Sequence, residues 1–352
     1  VYPQRDRIGF DDVLLDEEGR PHLGAIDDYD LFLADKGHPG EGFAHGMSNN
    51  EYSFRPWHLP EECHTTTWAA RQMSRMIQRR DPTKPGFWFL SFRHPHPPLV
   101  PLQSYLDLYR DIDIDAPHNS DWSRAFDELP YALKVNQGSN AHLKGENILR
   151  IRRAFYALCT QIDHQLRLVI GTLREEGLLD NTIICFTADH GDMLGNHGLW
   201  AKRLYYEHAA NVPMILLGSR DGRVPHHTID HRLVGWQDVM PTLLDLAGID
   251  IPDRPLCREL AAHRQPAGGQ FSQLGRGPLD RGELPAHHRI AIESRVGSTR
   301  PQAVERVQTE RQRLVVDLDR LDGLRRGLFV DRRDGEHRLA LIQRLVGQHL
   351  LT

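Results

Sequence analysis

Apolar residues recur along this chain at helical and at strand spacing, and the breaks between these runs outline the fold. Ile151, Phe155, Leu158, Ile162, Leu166, Val169 and Leu173 step by four and three, so they form one stripe on a helix over about residues 147–176, and Gly177 stands where a C-terminal cap is needed. A second helix is predicted over 65–80: Ala69, Met73, Met76 and Ile77 share a face, Thr65 or Thr66 is placed as N-cap, and Asp81-Pro82 ends it. Continuous apolar runs at 87–92, 182–186 and 212–217 read as buried strands. A further helix over 237–247 has Pro241 in its first turn and Gly248 just past its end. The alternation of helix and strand predicts an α/β fold with a mostly parallel sheet sandwiched by helices.

Residues 100–145 carry no readable period. Beyond about residue 251 the chain becomes rich in Pro, Gly and Arg through roughly residue 285. Runs at 303–307 and 313–318 then predict antiparallel strands, and Leu339, Ile342, Leu345, Val346 and Leu350 a helical stripe over 336–351. The expected organisation is an α/β core over 1–250, followed over 251–352 by a connection and a small α+β subdomain.

Composition changes this picture little. Charged residues make up 26% of the 352 and hydrophobic ones 39%, and the net charge of -5 points away from nucleic acid. No apolar run approaches the roughly 18 residues of a membrane span, so a soluble, cytoplasmic-type protein is expected. Cys63, Cys159, Cys185 and Cys257 lack CxxC spacing and read as free buried thiols. Val1-Tyr2-Pro3-Gln4 reads as mid-domain sequence, which leads us to expect an N-terminal truncation that would also have taken any export signal.

Candidate chemistry gathers at the carboxyl ends of the predicted strands, where open α/β sheets collect their ligands. Asp189 and His190 follow the strand at 182–186, and their oxygen and nitrogen donors suit Ca²⁺, Mn²⁺, Mg²⁺ or Zn²⁺. Such a dipeptide by itself is more often a turn or a cap. Lys202 is one of only five lysines, with Lys36, Lys84, Lys134 and Lys144. It is either a solvated cation or the group that neutralises a bound oxyanion. His96, in the proline-rich turn after the strand at 87–92, can protonate or hydrogen-bond a leaving oxygen, although most of the 21 histidines must be bystanders. His94 and His197 are weaker candidates. The carboxylate pairs Asp11-Asp12 and Asp27-Asp28 read as solvated loops.

The stretch from Thr187-Ala188-Asp189-His190-Gly191-Asp192-Met193-Leu194-Gly195 to Lys202 resembles the second signature region of sulfatases in the alkaline phosphatase superfamily. The likeness extends through Asn211-Val212-Pro213 and Gln237-Asp238-Val239-Met240-Pro241. Ser91-Phe92 to Pro98 is similar to the family's histidine loop. The resemblance implies a sulfuric ester hydrolase, arylsulfatase-like, acting on a small sulfate ester. Asp189 and His190 would bind one divalent metal ion, Ca²⁺ first by family. Lys202 would contact the sulfate and His96 the scissile or leaving oxygen. Many sulfatases have Asn in place of His190, and His there is more typical of phosphonate and phosphodiester hydrolases of the superfamily, which supplies the alternative substrate class. The family nucleophile is a formylglycine made within a CxPxR-like motif, and none of the four cysteines has that context. The family's first aspartate pair and its GKxH-like segment are also absent, so all three are expected in the truncated N-terminal part, with an apolar sheet edge left exposed. The 352 residues alone are then not expected to turn over, and a non-catalytic binding protein is the third reading.

Overall fold

The structure, a computed structural model, describes residue 7, residues 9–17, 27–218 and 222–252, and the backbone of 329–330. The chain divides into two compact units, Val1–Leu260 with Gly323–Thr352, and Ala261–Asp322. All described residues belong to the first. The strands predicted at 303–307 and 313–318, the helix at 336–351 and Cys257 lie outside the described residues.

In chain order the regular elements are α1 (Asp28–Asp35), α2 (Thr65–Gln78), β1 (Phe87–Trp88), α3 (Gln103–Leu108), α4 (Asp121–Arg124), α5 (Tyr131–Ser139), α6 (Glu146–Glu175), β2 (Ile184–Thr187), α7 (Glu207–Ala210), β3 (Met214–Leu217), α8 (Val239–Leu246) and β4 (Phe329–Val330). The two long helices fall where the periodicity places them. Ile151, Leu158, Ile162, Leu166, Val169 and Leu173 of the α6 stripe are buried. The helix ends in a Schellman turn: Gly177 has φ +67°, its N–H reaches the Arg174 carbonyl, and Leu178 N–H reaches Leu173 O at 2.8 Å. The same turn closes α8, with Gly248 at φ +69° and Ile249 N–H on Leu244 O at 2.9 Å.

The N-cap of α2 is His64, not Thr65 or Thr66. Its Nδ1 accepts the Thr66 N–H at 3.2 Å, so an imidazole takes the place of the usual hydroxyl or carboxylate. Within 100–145, α3, α4 and α5 are short helices whose few turns leave no long apolar period to read.

β2 sits between two helical layers. Ile184 and Leu217 pack with Ala70, Met73 and Ile77 of α2 and Val169, Ile170 and Leu173 of α6. On the opposite face Cys185 and Leu216 pack with Leu243, Leu246 and Val239 of α8. This alternation is the strand period expressed as a sandwich. The pairing direction differs from expectation. β2 and β3 are antiparallel, with Ile184 opposite Leu217 and Thr187 opposite Met214, and β1 and β4 are antiparallel as well. Parallel neighbours need a crossover of a dozen or more residues, usually a helix. Between β2 and β3 the chain offers turns and the four-residue α7, and it simply doubles back. β1 is also shorter than the apolar run at 87–92: its ladder ends at Trp88, and Phe89 is half exposed.

Asp27 and Asp28 are not solvated loop residues. Asp27 is buried and caps α1 by accepting Asp30 N–H at 2.7 Å and Glu17 N–H at 2.6 Å, while Asp28 accepts Leu15 N–H at 2.9 Å. Asp11 and Asp12 are exposed, as expected. Of the described cysteines, Cys63 and Cys185 are buried thiols, but Cys159 lies on the exposed side of α6.

The sandwich sets a testable scale. Leu173→Ala, which empties a fully buried position between α2, α6 and β2, is expected to lower unfolding free energy in urea by about 2–5 kcal/mol. Leu168→Ala on the exposed side of the same helix should stay within about 0.5 kcal/mol.

Candidate active site

β2 delivers the chain to Ala188 and Asp189 at its carboxyl end, and residues 190–213 form a folded loop back to β3. Gly191 anchors it: its N–H donates to Ala209 O at 2.8 Å, and a Cβ there would lie 2.1 Å from the His208 carbonyl oxygen, so only glycine fits. Polar side chains from other elements clamp the remainder. Trp236 Nε1 donates to Ala188 O at 3.0 Å. Arg152 of α6 donates to Leu194 O at 2.9 Å. Asn136 of α5 both accepts from and donates to the Trp200 backbone, at 2.9 and 3.0 Å, and Gln137 donates to His197 O at 2.6 Å. Leu194, His197 and Ala201 are all held at positive φ within this loop, a conformation that costs about 1 kcal/mol or more for a residue with a side chain and needs such support.

The four predicted site residues meet as two pairs. Asp189 Oδ2 lies 3.4 Å from His190 Nε2, with Asp189 Oδ1 accepting the His190 N–H at 2.9 Å. His190 Nδ1 contacts Gly191 O at 2.8 Å. A carbonyl can only accept, so Nδ1 carries a hydrogen, and Nε2 faces the Asp189 carboxylate. The second pair spans 106 residues: Lys202 Nζ lies 3.0 Å from His96 Nε2. His96 Nδ1 contacts Pro97 O at 2.8 Å, which likewise makes it the donor and leaves Nε2 to accept from the Lys202 ammonium.

A cation fits the first pair. Bond lengths near 2.0–2.5 Å at neighbouring vertices put two donor atoms about 3 Å apart, close to the observed spacing. The Gly191 carbonyl on the far nitrogen is the outer-shell contact that metal-binding imidazoles use. Among the described residues no group of three or more His, Cys, Asp or Glu side chains gathers to hold a metal, so within them Asp189 and His190 offer two donors.

His94 and His197 do not join either pair. His94 is 4% exposed and packs against His64 with ring centroids 5.2 Å apart. His197 accepts the Ser120 N–H at 3.3 Å and lies 4.9 Å from the Trp122 ring, so it fastens α4 to the loop.

The family model described as Sulfatase matches residues 9–249 of this chain. The chain belongs to the sulfatase family. Within the alkaline phosphatase superfamily, this sulfatase match spans all four residues of the two pairs. The arylsulfatase of Clostridium perfringens (strain 13 / Type A) is 36% identical over 271 residues, which cover 72% of this chain and 55% of that protein. The choline-sulfatase of Rhizobium meliloti (strain 1021) is 34% identical over 191 residues, 53% of this chain and 36% of that protein. The solved phosphonate monoester hydrolase SpPMH from Silicibacter pomeroyi superposes with TM-score 0.48 at 24% identity, over 64% of this chain and 47% of that one. The chain thus spans about half the length, or less, of these relatives.

Several residues that shape this site give no local signal in the sequence. Tyr52 donates to Asp192 Oδ2 at 2.5 Å across 140 residues. Arg93, next to the His94–His96 turn, pairs at 3.4 Å with Asp16, whose carboxyl burial pushes up. Arg152 and Asn136 look like ordinary helix-surface residues, yet both are buried. What could have pointed to them is a polar residue on the apolar face of a helix: Arg152 follows Ile151 directly on the α6 stripe.

The buried imidazoles behind His96 carry a pH signature. Burial pushes His64 down to about 3, and burial, reinforced by the Arg93 charge and His64, holds His94 well below 6.5. The unfolded chain takes up these protons near pH 6.5 and the folded one does not, so the stabilisation is present above pH 6.5 and declines as pH falls from there toward about 3. Unfolding free energy is expected to fall by about 1.4 kcal/mol per pH unit for His64 as pH drops below 6.5, and His94→Gln should make the total slope shallower.

Proposed function

We propose that the protein hydrolyses small sulfate esters, with Lys202 and His96 acting on the ester and Asp189 and His190 holding a divalent cation. The observation that carries this reading is the 3.0 Å contact between Lys202 Nζ and His96 Nε2. It brings a cation and an imidazole from distant loops to one point, within a chain that belongs to the sulfatase family.

The chemistry follows from what each atom can do. An ammonium group has three N–H donors. One is taken by His96 Nε2, which aims the group and leaves the others for sulfuryl oxygens, where negative charge grows as the ester bond breaks. His96 keeps its Nδ1 hydrogen on the Pro97 carbonyl, so its proton exchange occurs at Nε2 alone. When ester displaces the ammonium from Nε2, that nitrogen takes a proton from solvent water and passes it as Nε2–H to the departing alcohol or phenol oxygen, returning to the neutral imidazole. Asp189 and His190 would hold a divalent ion, calcium by preference, which would supply positive charge to offset the charge developing on the ester when bound. The attacking group expected by resemblance is a formylglycine, and none of the chain's cysteines stands in a CxPxR-like context.

The test uses the protein expressed from its full coding sequence together with a sulfatase-maturating enzyme, assayed on an aryl sulfate. Lys202→Ala and His96→Ala are each expected to lower kcat/KM by about 10²–10³-fold. Full activity in both variants rules the assignment out. A clear preference for a phosphodiester or phosphonate ester over the sulfate replaces the substrate class while keeping the site.

A further inference from the structure

We infer that Tyr52 and Asp192 are a positioning pair that sets the aim of Lys202 through the backbone of Ala201. The inference rests on the Lys202–His96 contact that underlies the proposed function, and it goes beyond that reading by naming what holds the contact in place.

Asp192 is a carboxylate in the interior of the site loop. Its Oδ2 accepts the Tyr52 hydroxyl at 2.5 Å, and its Oδ1 accepts the Leu194 N–H at 2.9 Å. The Ala201 N–H interacts with both the Tyr52 oxygen and the Asp192 carboxylate, and the Ala201 carbonyl accepts from Met193 N–H at 3.1 Å. Both backbone polar groups of Ala201, one in each of its flanking peptide links, are therefore tied to the turn at 192–193 or to Tyr52. Ala201 stands at φ +60°, where alanine does not rest unaided. The residue after it is Lys202. A change of a few tens of degrees at Ala201 would swing a four-carbon side chain by more than a hydrogen-bond length, so the left-handed turn must be held for Nζ to meet His96 Nε2.

Two neighbours show why the hydroxyl, and not merely the ring, is the working part. The Tyr52 ring packs on Trp200 with centroids 4.6 Å apart, and Trp200 is itself paired by Asn136. Packing at this point survives removal of one oxygen. Tyr52 also stands two residues before Phe54, which bridges to Leu99 just beyond the His96 turn, and Leu99 N–H donates to Ser53 O at 3.0 Å. A single short segment, 52–54, thus touches both the loop that carries Lys202 and the loop that carries His96. It is the physical link between them.

The test reads the His96 imidazole nitrogens by ¹⁵N NMR on this chain, with His96→Gln for assignment and urea unfolding to verify that each variant folds. Lys202→Met should move Nε2 downfield, to the position of a lone pair without a donor. Tyr52→Phe should move it in the same direction, and the Tyr52→Phe/Lys202→Met double variant should match Lys202→Met alone, because Tyr52 acts only through Lys202. Asp192→Ala should act like Tyr52→Phe, whereas Asp192→Asn, which can still pair with the hydroxyl and with Leu194 N–H, should restore most of the wild-type position. If Tyr52→Phe leaves Nε2 unmoved while Lys202→Met shifts it, or if the two shifts add, the positioning role is overturned and the proposed function stands. If Lys202→Met itself moves nothing, the pair is absent and both fall together.

Discussion

Burial of one long face of α6 is the constraint on which everything else rests. Its thirty residues supply the inner wall for α2 and β2 through Val169, Ile170 and Leu173, and further back they meet Leu99, Leu194 and Trp200 through Ile151, Ala154 and Leu158. The apolar side chains contribute roughly 1.5–3 kcal/mol each on full burial. The same helix therefore fixes both the strand that presents Asp189 and the loops that present His96 and Lys202. Arg152 extends that control with a polar contact, since its guanidinium reaches a loop carbonyl from within the buried face. Ridge packing sets where the site is, and one buried cation on the ridge sets how its loop is bent.

The site loop obeys a different economy. It contains little regular structure, so its backbone groups pair only in scattered turns, and side chains from four separate segments supply further partners. Tyr52, Asn136, Gln137, Arg152 and Trp236 each bond a backbone or carboxylate group between 188 and 200. Such a loop is stiff without being a helix or a strand. It can hold residues in left-handed conformations and so project Lys202 at an angle that regular structure would not allow.

What the sequence made legible follows from range. α2, α6 and α8 were readable because a repeating apolar face and a terminal glycine are local facts, and the same holds for β2, whose apolar run leads straight to the Asp189-His190 dipeptide. The strand direction was not, because it depends on what the intervening chain can span: the lack of a crossover helix between 188 and 213 becomes visible only once α7 is seen to be four residues long. Asp27 looked like a loop carboxylate because its donors, the N–H groups of Glu17 and Asp30, become its partners only in the folded chain. His64 as a helix cap goes against residue preference and is decided by burial. Of the site itself, the candidate residues and the strand end before Asp189 are local features of the sequence, but the closing of Lys202 on His96 and of Tyr52 on Asp192 spans more than a hundred residues and leaves no trace in local pattern.

The close approach at Gly191 has a consequence for how this region tolerates change. The Asp189-His190 dipeptide is fastened to the short helix at 207–210 by main chain alone, from Gly191 N–H to Ala209 O, with no space for a side chain between them. Side chains on the outer side of that helix can therefore vary without shifting the dipeptide, while position 191 admits a single residue. Sequence drift in such a family would leave a map with one closed position beside a permissive stretch. The geometry of the Asp189-His190 pair is inherited through backbone shape, not through the identity of its neighbours.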